Sequence, residues 1–182
     1  GDKTRAELWM LEVGGNGAQT WSHSRSQTPG ALDGAAMAFD DAGSRMLLVG
    51  GREGTKFSDG SWELDGKQAW STASGIPALP PAAQGVGLKA TVIGSGATRR
   101  LVLFTPTSKS KAHWVSLDGA GSWQTLTLPT APAGSASLTG RPACLVSATG
   151  SNAYALAVSE AAVGQTSQVY RFRASATGVD VD

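Results

Sequence analysis

The sequence predicts an all-β fold assembled from one repeated unit of four short strands. Three observations carry that expectation. Glycine is abundant and charge is sparse: 24 of 182 residues are Gly, about twice the usual ~7%, and 16% are charged against roughly 25% in an average domain. Such a composition suits short strands and tight turns, whereas long surface helices need Glu and Lys on their wet face. A hairpin marked by aromatics recurs along the chain. An apolar hairpin recurs upstream of it.

The aromatic hairpin is clearest at "SWELDGKQAWSTA". Aligned on the Trp before "ELDG", Trp62 has counterparts at Trp9 in "ELWMLEV", Trp114 in "HWVSLDG" and Tyr170 in "VYRFRAS". The spacings in chain order are 53, 52 and 56 residues. A second Trp follows in three of the units, at Trp21, Trp70 and Trp123, each after a Gly-bearing turn. These segments predict strands near 8–13, 19–24, 61–65, 69–73, 113–117, 122–126 and 168–173. Their alternation, as in "WELD" and "YRFR", fits outer strands with one wet face.

The apolar hairpin appears as "AAMAFDDAGSRMLLVGG", "LKATVIGSGATRRLVLFTP" and "RPACLVSATGSNAYALAVSE". Near-continuous apolar strands bounded by Gly, Ser, Asp and Pro predict elements near 35–39, 45–49, 88–93, 100–104, 142–147 and 153–158. Strands this apolar are expected to be buried on both faces. The expected core is therefore Met37, Phe39, Leu48, Val92, Val102, Phe104, Leu145, Val146, Leu156 and Val158, with Cys144.

Four strands repeating every ~50 residues make a β-propeller blade, which buries its faces by stacking on its neighbours. The chain then reads as a half blade over 1–34 and blades over 35–74, 86–128 and 140–182, about three and a half blades of a partial ring. The phase of the repeat leaves strand 8–13 as an outer strand without inner partners. It is expected to pair with a strand from outside residues 1–182.

One unit carries a fuller signature. An apolar strand ends in Gly50-Gly51, an aromatic follows at Trp62, and a second Trp stands at Trp70. This arrangement resembles the kelch motif, and through it the wider group of galactose-oxidase-like propellers. The resemblance implies a protein-interaction or assembly module. The Gly-Gly position is Thr105-Pro106 in the next unit and Ser159-Glu160 in the last, so the full motif occurs once. Gly50 and Gly51 are expected to let the chain leave its strand in conformations closed to other residues.

Composition narrows the functional classes. A net charge of +1 gives no basic footprint for nucleic acid. No stretch is apolar enough for a spanning helix of ~20 residues. The single cysteine, Cys144, excludes an intrachain disulfide and a Cys-rich zinc site. Residues 1–10 are charged and carry no apolar targeting core.

No catalytic constellation is legible, and no cofactor is expected. Copper chemistry of the galactose-oxidase type would need, by that resemblance, two Tyr, two His and a Cys. Tyr170 is already assigned to blade packing and Cys144 to an apolar strand. "VGGNGAQ" has no following helix to complete a phosphate-cradling loop. Asp40-Asp41 is expected to form the reversal in "FDDAGSR".

Loops on a rigid scaffold commonly carry binding. The candidate binding face comprises Arg52, Glu53, Lys56 and Asp59 from one loop, Lys109, Lys111 and His113 from the next, and His23 and Arg25 from an interblade connection. The partner class expected is protein or further propeller blades. The alternatives are a lectin-like propeller with a glycan stacked on Trp, or a non-catalytic propeller part of a larger secreted enzyme. All six Trp fall on repeat positions, which favours a protein partner over a glycan.

Overall fold

A computed structural model describes residues 8–24, 29–65, 69–106, 111–119, 121–138, 142, 144–148 and 154–182. These residues form an all-β structure. In chain order the strands are β1 (Leu8–Val13), β2 (Gln19–Ser24), β3 (Ala36–Asp40), β4 (Arg45–Val49), β5 (Arg52–Glu53), β6 (Lys56–Phe57), β7 (Ser61–Leu64) and β8 (Trp70–Thr72). They continue with β9 (Lys89–Ile93), β10 (Arg100–Phe104), β11 (Lys111–Ser116), β12 (Gln124–Thr127), β13 (Cys144–Ala148), β14 (Tyr154–Val158), β15 (Val169–Ala174) and β16 (Val179–Val181). Two single 3-10 turns, Pro81–Ala83 and Gly96–Thr98, are the helical segments among the described residues.

Three four-stranded antiparallel meanders dominate: β3-β4-β7-β8, β9-β10-β11-β12 and β13-β14-β15-β16. They are called the first, middle and last sheets below. Two-stranded ladders are made by β1 with β2 and by β5 with β6. Each expected strand is present, with ends shifted by a few residues at most. β16, formed from "VDV", gives the last sheet its fourth strand.

Gly50 and Gly51 do what their position demands. Both have positive φ, 66° and 91°. A Cβ on Gly50 would come within 2.6 Å of Leu88 Cδ1, and one on Gly51 within 3.0 Å of the Ala35 backbone nitrogen. The turn is closed by Gly50 N–H donating to Gly60 O at 3.0 Å and Ser58 N–H to Gly51 O at 2.9 Å.

The sheets stack in chain order through two apolar layers. Ala36, Ala38, Leu47 and Val49 of the first sheet pack with Leu101, Leu103 and Val115 of the middle one. Ile93, Val102, Phe104 and Ala112, on the middle sheet's other face, pack with Ala155, Ala157, Tyr170 and Phe172 of the last. The Phe104 and Phe172 rings meet edge to face, with centroids 5.3 Å apart. β10 is therefore buried along its whole length. The first strands of the sheets are neighbours, β9 lying against both β3 and β13.

Burial corrects part of the expected core. Val102 and Phe104 are fully buried. Met37 and Phe39 are 51% and 52% exposed, and Val146 is 56% exposed. Leu48, Val92, Leu145, Leu156 and Val158 are partly buried. The physical reason is strand alternation. The first and last sheets each cover one face against the middle sheet, and Met37, Phe39 and Val146 stand on the other. Cys144 lies outside the residues whose side chains are described.

Register also corrects the aromatic alignment. The penultimate residues of the second strands, Leu48, Leu103 and Ala157, lie opposite Trp62, His113 and Tyr170. The equivalent of Trp62 is therefore His113, and Trp114 stands one residue further on. A one-residue step turns a side chain to the opposite face. Trp114 accordingly packs in the layer shared with the last sheet, while Trp123 packs in the layer shared with the first.

Candidate interaction surfaces

The expected loop residues occupy different environments. Arg52, Glu53 and Lys56 lie on the small β5–β6 ladder, where Arg52 pairs with Phe57 and Glu53 with Lys56. Asp59 follows in the same connection and is exposed, and its carbonyl accepts from Leu79 N–H at 2.8 Å. Arg52 is committed locally. Its backbone bridges Asp33 in both directions at 2.9 Å, and its Nη2 lies 2.8 Å from Asp33 Oδ2. Both side chains are substantially exposed, so this pair fixes a loop geometry more than it adds stability.

Lys111 is exposed at the start of β11. His113, two residues on, is 3% exposed and belongs to the interior, not to a loop face. Burial lowers its pKa below the ordinary value, and a hydrogen bond with the Ala82 backbone opposes part of that shift. His23 sits on β2, where its ring stacks on Trp9 with centroids 4.4 Å apart and planes at 24°. Lys109 and Arg25 lie outside the described residues.

A buried charge network with no local signal in the sequence crosses the first interface. Asp40 ends β3 with its side chain at 0% exposure. Its carboxylate accepts from Arg45 Nε at 3.0 Å, from Gly43 N–H at 3.2 Å and from Arg99 Nη1 at 2.9 Å. Arg45 also pairs with Glu63, and Arg99 with Asp118. The pKa of Arg99 is raised, first by its hydrogen bond to Asp118 and then, against desolvation, by Asp40. The expected turn does exist, with Ser44 N–H donating to Asp41 O at 3.1 Å. Asp40, however, serves the interface: it holds an arginine from a strand-joining turn of the middle sheet.

Three surfaces carry exposed apolar side chains among the described residues. One is the outer face of the first sheet, where Met37 and Phe39 are exposed and Met46, Leu48, Trp62, Leu64 and Trp70, on the same side by alternation, are partly buried. A second is the outer face of the last sheet, where Val146 and Val169 are 56% and 62% exposed. Towards its outer edge that second face becomes charged, with Arg171 and Arg173 sharing Asp182 at 2.6 and 3.1 Å. The β1–β2 hairpin has a similarly apolar face: Trp9, Leu11, Val13 and Trp21 are 58%, 42%, 63% and 63% exposed.

A shallow recess between the middle and last sheets is lined by Arg100, Trp114, Ser116, Gln124 and Thr177. The Arg100 guanidinium carbon lies 5.5 Å from the Trp114 ring centroid, so one ring face is already engaged by a cation. No helix among the described residues is long and apolar enough to cross a membrane.

The chain matches no family model and no curated protein sequence.

Proposed function

We propose that the three stacked sheets are blades of a β-propeller, and that the chain acts as a protein-interaction module whose ring is completed by β-strands from another chain or segment. The observation that carries this reading is the register equivalence of the open face. In the middle and last sheets, the face bearing His113 and Tyr170 is buried against the preceding sheet. In the first sheet the equivalent face bears Trp62, which is partly buried, and Met37 and Phe39, which are 51% and 52% exposed, and among the described residues no sheet stacks on it. Soluble proteins rarely leave a contiguous apolar surface of this kind uncovered unless it binds something. The kelch-like run Gly50, Gly51, Trp62, Trp70 and the meander order of the strands also support the reading.

Native mass spectrometry and sedimentation of residues 1–182 test it. Association of the isolated chain, or its recovery in a larger assembly, is the expected result. A well-behaved 18.5 kDa monomer with a cooperative melt would contradict it.

A lectin-like role is the second reading, favoured by the exposure of Trp21 at 63%. Full assignment of Trp to packing does not hold for that residue. A single specific hit on a glycan array, lost in Trp21→Ala, would establish this alternative.

A further inference from the structure

We propose that the recess between the middle and last sheets binds a small hydroxylated carboxylate of the hexuronic-acid class, with Arg100 as its counter-ion. The site is independent of how any ring is completed, and it is distinct from the hairpin that bears Trp21.

Two consecutive arginines define it. Arg99 and Arg100 reach into opposite intersheet layers, as neighbours along an extended segment do. On the side of the first sheet, Arg99 meets two carboxylates, Asp40 and Asp118. On the side of the last sheet, Arg100 is 6% exposed and meets no carboxylate among the described residues. Its Nη1 donates to Ala97 O at 3.3 Å, Arg99 O at 2.9 Å and Ser116 Oγ at 3.2 Å. Its Nη2 makes one long contact, 3.5 Å to Ser175 O. Its Nε has no acceptor among the described residues. The Nε–Nη2 edge is therefore the unspent side of the guanidinium, and a carboxylate takes such an edge as a two-pronged acceptor. A buried cation met only by neutral acceptors is costly, and one carboxylate balances its charge.

The surroundings select the rest of the ligand. Arg100 lies opposite Ser116 and Trp114 opposite Gln124, so all four stand on one face of the middle sheet. Further along, that face is apolar at Val102, Phe104 and Ala112, where the last sheet covers it. At Arg100 the layer opens, and Thr177, from the turn joining β15 to β16, forms the facing wall. The recess measures about 370 Å³, near the lower end of the ~300–1,000 Å³ of small-molecule sites, which suits a single sugar ring. Trp114 backs the guanidinium, its ring centroid 5.5 Å from the guanidinium carbon. Ser116, Ser122, Gln124 and Thr177 line the recess with groups that both donate and accept, as a polyol requires. A phosphate dianion would leave excess charge beside a single arginine. An unsubstituted aliphatic acid would leave those polar groups unmatched.

The test uses nitrogen-15-labelled protein of residues 1–182 and follows the Arg100 Nε–H and Trp114 indole N–H signals as sodium glucuronate is added. Both are expected to shift saturably, with an affinity about tenfold or more above that for acetate, glucose or inorganic phosphate. Thr177 is exposed. Thr177→Asp sets a like charge on the facing wall and should weaken glucuronate binding by about tenfold or more, whereas Thr177→Asn should retain it. Arg100→Gln should abolish it, and Thr177→Asp carries the test if that buried substitution prevents folding. Trp21→Ala should leave both signals responding as before.

The proposal is overturned if glucuronate produces no saturable shift at Arg100, or if Thr177→Asp leaves binding unaltered. An equal response to acetate or phosphate overturns the assignment to sugar acids. A short oligouronate separates two sources of the same chemistry: binding as tight as the monosaccharide's assigns a polysaccharide chain end, and loss of binding assigns the free sugar acid. The propeller reading is decided separately, by association of the chain.

Discussion

At the scale of the residue, the same residue type plays different parts according to its face. Trp123 packs between the first and middle sheets and donates its Nε1–H to Pro77 O at 2.9 Å. Trp123→Ala removes a large buried ring and leaves that carbonyl without its donor, so a loss of about 3–5 kcal/mol is expected by denaturant unfolding. Trp70 occupies the equivalent face of the first sheet, where it is partly buried and no second sheet packs on it among the described residues, and Trp70→Ala should cost less, about 1–2 kcal/mol. Equal losses would mean that the first sheet's outer face is covered. His113 carries a pH dependence of fixed sign. Its folded pKa is lowered by burial, so the unfolded chain binds the proton more tightly. Its contribution to stability is complete above the ordinary value of 6.5 and is lost as pH falls through the lower folded value. Melting of the wild type and of His113→Gln between pH 7.5 and 5 should show a slope in the former that is smaller in the latter.

At the scale of the element, turns and strands were largely legible in the sequence. Gly50-Gly51 reads in the sequence as a turn needing special backbone, and both residues have positive φ. Gly51→Ala should destabilise by about 1–3 kcal/mol, because it meets both the strained backbone and Ala35; a change within ±0.5 kcal/mol in a chemical melt would contradict that geometry. Strand positions followed from apolar runs bounded by turn residues. Facing did not. "RLVLF" and "AMAFD" look alike as strings, but among the described residues β10 has a sheet on both sides and β3 has one on a single side. Periodicity reports that a strand is apolar, while burial depends on which neighbours are present. The aromatic repeat misled for a related reason. Trp114 is conspicuous, and His113 beside it holds the equivalent register. Only the pairing with Leu103 separates them. The Asp40–Arg99 contact, between residues 59 apart in sequence, has no local signal at all.

At the scale of the whole molecule, the three sheets form a stack in which, among the described residues, the middle sheet is covered on both faces and the outer two on one. The Asp40 network is the polar counterpart of that stacking, since it joins the first sheet to the middle one. Asp40→Ala would leave Arg99 and Arg45 partly buried without their shared carboxylate. Losing one partner of a buried pair typically costs about 3–5 kcal/mol, and the loss should be read together with increased exchange in β3. The stacking order of the sheets is tested by strand-resolved amide hydrogen exchange on residues 1–182. β10 is expected to exchange most slowly, with β3 and β14 intermediate and β1 fastest. Exchange in β10 as fast as in β1 would contradict it.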